Sequence, residues 1–178
     1  ARELELEIGP EIATALYAAI LTDTGGFRYR NTTPRSHATP PGLLAPGVDP
    51  EGMYTRIYAS VPMGKLRLLG EALATLEADL DHGLAWLSVD ADALERFGLR
   101  SEDLEGIVEH ARSISGTRIA LFFRDLGHGK VKVSFRSTGD ADVNALARRF
   151  GGGGRAKGSG AVVARTLQEV RGRVRAAA

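Results

Sequence analysis

The sequence predicts an α/β fold with a mixed sheet, and two features of its second half lead to that prediction. Residues 119–123 are apolar throughout, as expected of a central strand with both faces covered. After a glycine-rich turn at 127–129, residues 130–136 alternate between apolar and polar side chains, which is the period of a strand with one buried face. Segments with helical spacing flank this hairpin on both sides, so helices and strands alternate along the chain.

Short helices are predicted over the first 62 residues. A helix over 10–22 starts with proline, which costs no hydrogen bond at a first helical position. A polar turn follows, and residues 27–30 are predicted as a short extended segment. The prolines and glycines within 35–50 permit at most a short, broken helix. A further helix is predicted from Asp49-Pro50 to about residue 59.

A leucine stripe predicts a longer helix over residues 63–80. The chain then turns at 81–83, close to the point where the charge balance changes sign. We therefore expect residues 1–62 to form a first domain, 63–82 a connector helix and 83–178 a second domain.

The second domain alternates strands and helices. Its elements besides the hairpin are predicted, in chain order, as a strand at 84–89, a short helix at 91–97, a longer helix capped by Ser101, a helix capped by Asp140 or Asp142, a strand near 161–164 and a C-terminal helix capped by Thr166.

Composition excludes several classes of protein. Of the 178 residues, 43% are hydrophobic and 25% are charged, which is typical of a globular domain and excludes wholesale disorder. No apolar run is long enough to cross a bilayer, and the absence of cysteine removes disulfide scaffolds and thiol catalysis. We therefore expect a cytoplasmic protein without a membrane partner.

Positive charge is concentrated at the end of the chain. Residues 130–178 carry 11 Lys and Arg against three Asp and Glu, although the net charge of the whole chain is only +1. Such a basic end favours a polyanionic partner such as nucleic acid or nucleotide phosphate. The alternative interpretation is a solvated, arginine-rich face, and charge alone does not separate the two.

Asp23 is a candidate metal ligand because it stands where a helix ends. A carboxylate is disfavoured beside the negative end of a helix dipole, but a bound Mg²⁺ or Mn²⁺ would reverse that preference. The alternative is a turn aspartate that caps Gly25 or Gly26. One carboxylate cannot hold a catalytic metal by itself.

Gly151–Gly154, with Arg155 and Lys157 after it, is the candidate anion site. Consecutive glycines allow backbone N–H groups to converge on an anion, and the cations would add charge. A flexible loop between helix and strand is the alternative. Arg136 and Ser137 lie at the end of a predicted strand, where α/β sheets commonly bind ligands, whereas Lys132 is more typical of a solvated face.

These features together resemble one family. Residues 16–28, which include Asp23-Thr24-Gly25-Gly26, followed by Asn31-Thr32-Thr33, resemble the last motif of the DHH phosphoesterases. Residues 104–107, 111–114 and 131–137, with the glycine-rich loop, resemble the DHH-associated domain. The resemblance is greatest to the bacterial bifunctional oligoribonucleases that also dephosphorylate pAp, 3′-phosphoadenosine 5′-phosphate. It implies that residues 1–62 are the tail of a catalytic domain and 83–178 a substrate-binding domain.

The resemblance also implies a chemistry and a set of site residues. The family hydrolyses phosphoesters at two Mn²⁺ ions, with Mg²⁺ as an alternative ion, and Asp23 matches an aspartate of that metal site. The implied substrates are short single-stranded RNA or DNA oligonucleotides and pAp, and a homodimer is compatible with the family. The implied substrate contacts are Arg136, Ser137, Gly152, Gly153, Gly154, Arg155 and, on weaker grounds, Arg112.

Two departures from the family pattern matter. The Asp-His-His motif is absent and would lie before residue 1, so we expect this chain alone to bind substrate and to hydrolyse nothing. Arg155 stands where the family has histidine; arginine binds phosphate but cannot titrate near neutral pH. The alternative functions are a non-catalytic nucleic-acid-binding module, a RecJ-like exonuclease and a cyclic-dinucleotide phosphodiesterase.

Overall fold

A computed structural model describes residues 8–178 of the chain. It divides into two compact units, one ending at Val61 and the other running Pro62–Ala178. The first seven residues of the predicted first domain lie outside the described part.

The first unit is helical over its described residues, and each helix begins with proline. Its helices are α1 (Pro10–Asp23), α2 (Pro34–Ala38), α3 (Pro40–Leu44) and α4 (Pro50–Tyr58). Thr33 caps α2 and Asp49 caps α4 through their side chains, which accept hydrogen bonds from backbone N–H groups of the first turn. The prolines divide residues 35–50 into two short helices, as predicted.

The segment predicted as extended at residues 27–30 is a turn instead. Gly25, Gly26 and Phe27 all have φ between 56° and 67°, in the left-handed region. The buried Thr24 hydroxyl donates to the carbonyl of Ile20 at 2.6 Å and accepts from the Phe27 N–H at 3.0 Å. The threonine thereby joins the end of α1 to the turn and offsets the strain at Phe27.

The second unit is built on a mixed sheet, as the sequence predicts, but two of its six strands, at residues 77–79 and 153–155, were not predicted. Its strands, in the spatial order β1-β2-β3-β4-β6-β5, are antiparallel except for the parallel pair β2–β3. The elements of this unit are α5 (Met63–Ala74), β1 (Glu77–Asp79), β2 (Leu84–Val89), α6 (Ala93–Arg96), a 3₁₀ turn (Ser101–Leu104), α7 (Ile107–Arg112), β3 (Ile119–Asp125), β4 (Val131–Ser137), α8 (Val143–Arg148), β5 (Gly153–Arg155), β6 (Gly158–Val163) and α9 (Leu167–Arg175).

Each face of this sheet carries its own hydrophobic cluster. On one face Trp86, Phe123 and Phe135 pack with α8 and α9. On the other, Leu87 and Phe122 pack with α5, α6 and α7. The sheet is therefore buried on both sides over β2 and β3, which explains why these two strands are apolar throughout.

Two predicted helices end earlier than expected. The helix predicted over 63–80 stops at Ala74, because the Thr75 hydroxyl bonds to the backbone of Ser88 in β2 and the chain enters strand β1. The helix predicted from Ser101 is interrupted at Gly106, whose φ of 88° no helix accommodates. Helix α5 packs within the second unit through Leu68, and its role as a connector stays a prediction.

One glycine is required by close packing between α8 and the sheet. A Cβ on Gly152 would lie 2.1 Å from the carbonyl oxygen of Gly160 and 2.6 Å from Cβ of Ala161. Both neighbours belong to β6, whose backbone is fixed by its pairing with β4. No side chain at position 152 can be accommodated unless the strand moves.

We predict that Gly152→Ala lowers the free energy of unfolding by about 1–3 kcal/mol, the usual cost of overpacking. Gly172→Ala is the control: it lies within α9, has no atom within 4 Å of the added Cβ, and should stabilise by about 0.5–1 kcal/mol. Urea denaturation of the 178-residue chain measures both changes. An unaltered midpoint for Gly152→Ala would contradict the prediction, because it would show that β6 can move away from the added methyl group without loss of stability.

Candidate functional site

Strand β4 presents a polar face on the side of the sheet that carries α7. Its buried face consists of Val131, Val133 and Phe135, whereas Lys132 is exposed and Ser134 and Arg136 are half-buried. The register places these three polar residues beside Val162, Gly160 and Gly158 of β6. Val162 is 56% exposed, and Gly160 and Gly158 carry no side chain, so this part of the sheet is open and basic.

A cavity of about 220 Å³ lies between this face and the segment that leads into α7. Three cations and one carboxylate line it, so its charge is positive. The lining residues are Arg124, Lys132, Arg136, Glu105, Ser101, Ser134, Leu104, Gly106, Val108 and Phe122.

Arg136 is held in place by a carboxylate from α7. Its Nε donates to Oε1 of Glu109 at 3.2 Å, and one terminal nitrogen donates to the carbonyl of Phe135 at 3.0 Å. Gly158, directly opposite on β6, leaves room for the guanidinium: an added Cβ would lie 3.3 Å from its Nη1. These contacts leave most of the five guanidinium N–H groups available to an anion in the cavity.

The same carboxylate connects Arg136 to Arg112. The distance from Arg112 Nη2 to Glu109 Oε2 is 2.5 Å, so Glu109 pairs with two arginines at once. The structure therefore brings together two of the predicted substrate contacts, although Arg112 does not line the cavity. Sequence reasoning missed Glu109; its signal is the spacing of three residues from Arg112 on one helix.

Arg124 is a further cation that sequence reasoning missed. It stands near the end of β3, and its Nη1 donates to the Ser101 hydroxyl at 2.9 Å. Burial lowers the pKa of this guanidinium from its ordinary value, yet arginine stays protonated at neutral pH. A polar residue at the end of an otherwise apolar strand is the only signal that the sequence offers for it.

Ser137 is placed differently from its predicted role. It is 2% exposed. Its hydroxyl donates to the carbonyl of Ala141 at 2.8 Å, and the carbonyl of Ala156 lies 3.3 Å from the same oxygen as a second acceptor. The side chain thus joins β4 to two loops and lines no part of the cavity. Substrate contact by Ser137 stays a prediction.

The glycine-rich loop does not form the converging array of N–H groups that its sequence suggests. The amides of Gly151 and Gly152 donate to Arg148 and Ala147 at the end of α8, and that of Gly154 donates to Asn144 Oδ1 at 3.1 Å. These glycines permit close packing and strand pairing instead. These hydrogen-bond partners lie in or next to α8, three to ten residues before the glycines, and the glycine pattern alone did not show them.

The two cations after the glycines differ in exposure and contacts. Arg155 is exposed on β5, where its backbone carbonyl accepts from the Ser159 hydroxyl at 2.8 Å. Lys157 donates to the carbonyl of Gly139 and, at 3.0 Å, to the carbonyl of Ala141. These two hydrogen bonds stabilise the loop that precedes α8. Contact of substrate with Gly152, Gly153, Gly154 or Arg155 stays a prediction.

Asp23 lies in the first unit, at the last residue of α1. The Asn31 side-chain amide donates to both the carbonyl and the Oδ2 of Asp23, each at 3.0 Å. Both residues line an open concave region that also includes Thr33 and Arg35. Within residues 8–178 no group of three His, Cys, Asp or Glu side chains could hold a metal, and a metal-ligand role for Asp23 stays a prediction.

Over the described part of the chain, none of the helices combines the length and the apolar character that crossing a membrane requires.

Comparison with known proteins identifies the second unit. The family model described as the DHHA1 domain matches residues 85–177. The bifunctional oligoribonuclease and PAP phosphatase NrnA of Thermus thermophilus is 36% identical over 162 residues, which cover 90% of this chain and 47% of that protein. The protein of the same name from Bacillus subtilis is 28% identical over 157 residues, covering 88% and 49%.

A solved structure agrees with these relatives. The exopolyphosphatase-related protein from Bacteroides fragilis has a TM-score of 0.87 and 30% identity, over 96% of this chain and 50% of that one. The chain thus spans about half the length of the relatives that it matches. The family match covers more than half of the chain and confirms the resemblance drawn from its motifs. This chain belongs to the DHHA1 domain family.

Proposed function

We propose that this chain is part of a DHH-family phosphoesterase that hydrolyses short oligonucleotides to mononucleotides and removes the 3′-phosphate of pAp, and that it supplies mainly substrate binding. The names of its relatives, bifunctional oligoribonuclease and PAP phosphatase, support the two substrate classes. Both substrates carry phosphate, so the part of the chain that binds them should be a cationic pocket.

The cavity beside β4 is the observation that carries this proposal. Arg136 lines this cavity, and hydrogen bonds to Glu109 and to the Phe135 carbonyl orient its guanidinium before any ligand binds. An arginine whose direction is fixed before binding loses less conformational freedom when it binds phosphate. A guanidinium can also donate two parallel hydrogen bonds to one phosphate group.

Glu109 weakens the interaction between Arg136 and phosphate. In the absence of ligand it neutralises part of the charge of Arg136 and Arg112, both of which are about one-third exposed. A phosphate that approaches Arg136 shares the guanidinium with the carboxylate, so binding is expected to be weak and reversible. Weak binding suits a domain that must release a shortened product after each cleavage.

Asp23 is the residue of the first unit to which we assign a role in hydrolysis. We infer that its carboxylate, held by Asn31, contributes one ligand to a metal site whose other ligands lie outside the described residues. Mn²⁺ ions at such a site would activate water and stabilise the leaving oxygen. The dependence on Mn²⁺ and the homodimer rest on the family resemblance, whereas the cytoplasmic location rests on the composition of the chain, and all three stay predictions.

We predict that Arg136→Ala weakens the binding of pAp and of a 5′-phosphorylated trinucleotide by about tenfold, since one charged hydrogen-bonding group is lost. Isothermal titration or NMR titration of the 178-residue chain measures this change. Thermal denaturation should show little loss of stability, because Glu109 retains its contact with Arg112.

Arg165→Ala is the matched control. It also removes one arginine with a glutamate partner, but that partner, Glu169, lies on α9, a helix of the opposite face. Its affinity for both ligands should stay within about twofold of the unmodified chain. If pAp and the trinucleotide bind the Arg136→Ala variant as tightly as they bind the unmodified chain, the cavity is not the substrate-binding site.

A further inference from the structure

Two cations face each other at the far end of the same cavity. Arg124 of β3 and Lys132 of β4 are direct partners in the register of that antiparallel pair, and both line the cavity. Like charges in directly opposite positions of neighbouring strands are destabilising. This placement is therefore unfavourable for the free protein.

No carboxylate in the part of the chain that the structure describes forms an ion pair with either cation, although Glu105 lines the same cavity. Neither Arg124 nor Lys132 lies within 4 Å of an acidic group there, in contrast to Arg136, which shares Glu109. The partner of Arg124 is the neutral hydroxyl of Ser101. Because that oxygen accepts the hydrogen bond, its own proton can be donated to a ligand.

The two ends of the cavity are separated along the strand. Lys132 and Arg136 are separated by four residues along β4, a span of about 13 Å between their backbones. A ligand that carries two phosphates along an extended backbone can therefore contact both ends at once. An oligonucleotide has this property because its phosphates repeat along an extended backbone.

We propose that Arg124, Lys132 and Ser101 form a distal subsite that binds a second phosphate of an oligonucleotide whose first phosphate lies at Arg136. This inference rests on the proposed function and extends it: the distal subsite makes the cavity select ligands by phosphate number. A mononucleotide with one phosphate gains only the contacts at Arg136, whereas a short oligonucleotide gains both sets.

The test compares two probes, 5′-AMP and the 5′-phosphorylated trinucleotide of adenosine, by NMR titration of the 178-residue chain. The variant Arg124→Ala/Lys132→Ala should bind the trinucleotide about tenfold more weakly. The slope of log affinity against log salt should become shallower by about 0.7, the value for one phosphate contact to a single strand. Affinity for 5′-AMP should change by less than about twofold.

Arg148→Ala/Arg173→Ala is the matched control, because it removes two positive charges from α8 and α9 on the opposite face of the sheet. It should leave the ratio between the two probes unchanged. Lys132→Ala alone, at an exposed position, gives the same comparison if the double variant does not fold.

An equal loss for both probes, or no loss for the trinucleotide, would overturn the distal subsite. Arg136→Ala separates this failure from that of the proposed function. If Arg136→Ala weakens both probes while the distal variant weakens neither, only the distal subsite is wrong. If Arg136→Ala changes neither probe, both proposals are wrong.

Discussion

The register of β4 is the constraint on which the candidate site depends. Val131, Val133 and Phe135 are fully buried against α8 and α9, so the strand cannot slip by one residue without exposing them and burying charge. The alternation then directs Lys132 and Arg136 to the opposite side, where the sheet is open. A strong hydrophobic requirement on one face thus positions the charged groups on the other, with no extra element devoted to that purpose.

The helix α7 completes the site by contributing Glu109. A lone arginine on an open sheet would sample many rotamers, whereas Arg136 is held by a carboxylate and a backbone carbonyl. The same carboxylate restrains Arg112, so that two arginines are ordered by a single acidic residue. At the other end of the cavity Arg124 donates to the neutral Ser101 hydroxyl, and within the described residues no carboxylate lies within 4 Å of it. Over this part of the chain, the cavity therefore has one basic end that is paired with a carboxylate, at Arg136, and one that is not, at Arg124 and Lys132.

Local patterns predicted most of the second unit because its strands and caps are encoded within a few residues. The alternation of β4 and the capping residues Asp142 and Thr166 appear in the structure as predicted. The helix predicted over 63–80 ends earlier than expected because its end depends on a partner distant in sequence. Thr75 ends this helix by bonding to Ser88 of β2. The amides of the glycine loop bond Ala147 and Asn144 of the nearby α8, and substrate contact by this loop stays a prediction. Sequence spacing does not show the contact between Thr75 and β2, nor the contacts of Arg136 with Glu109 and of Arg124 with Ser101.

The most direct test of this account locates the bound phosphate. Amide proton–nitrogen correlation spectra of the 178-residue chain, recorded while pAp is added, report which backbone groups sense the ligand. We expect the largest shift changes at residues 132–136 and in the segment 101–108 that faces them across the cavity. Changes confined to Gly151–Gly154, or to α8 and α9, would contradict the assignment of phosphate binding to the open face of β4.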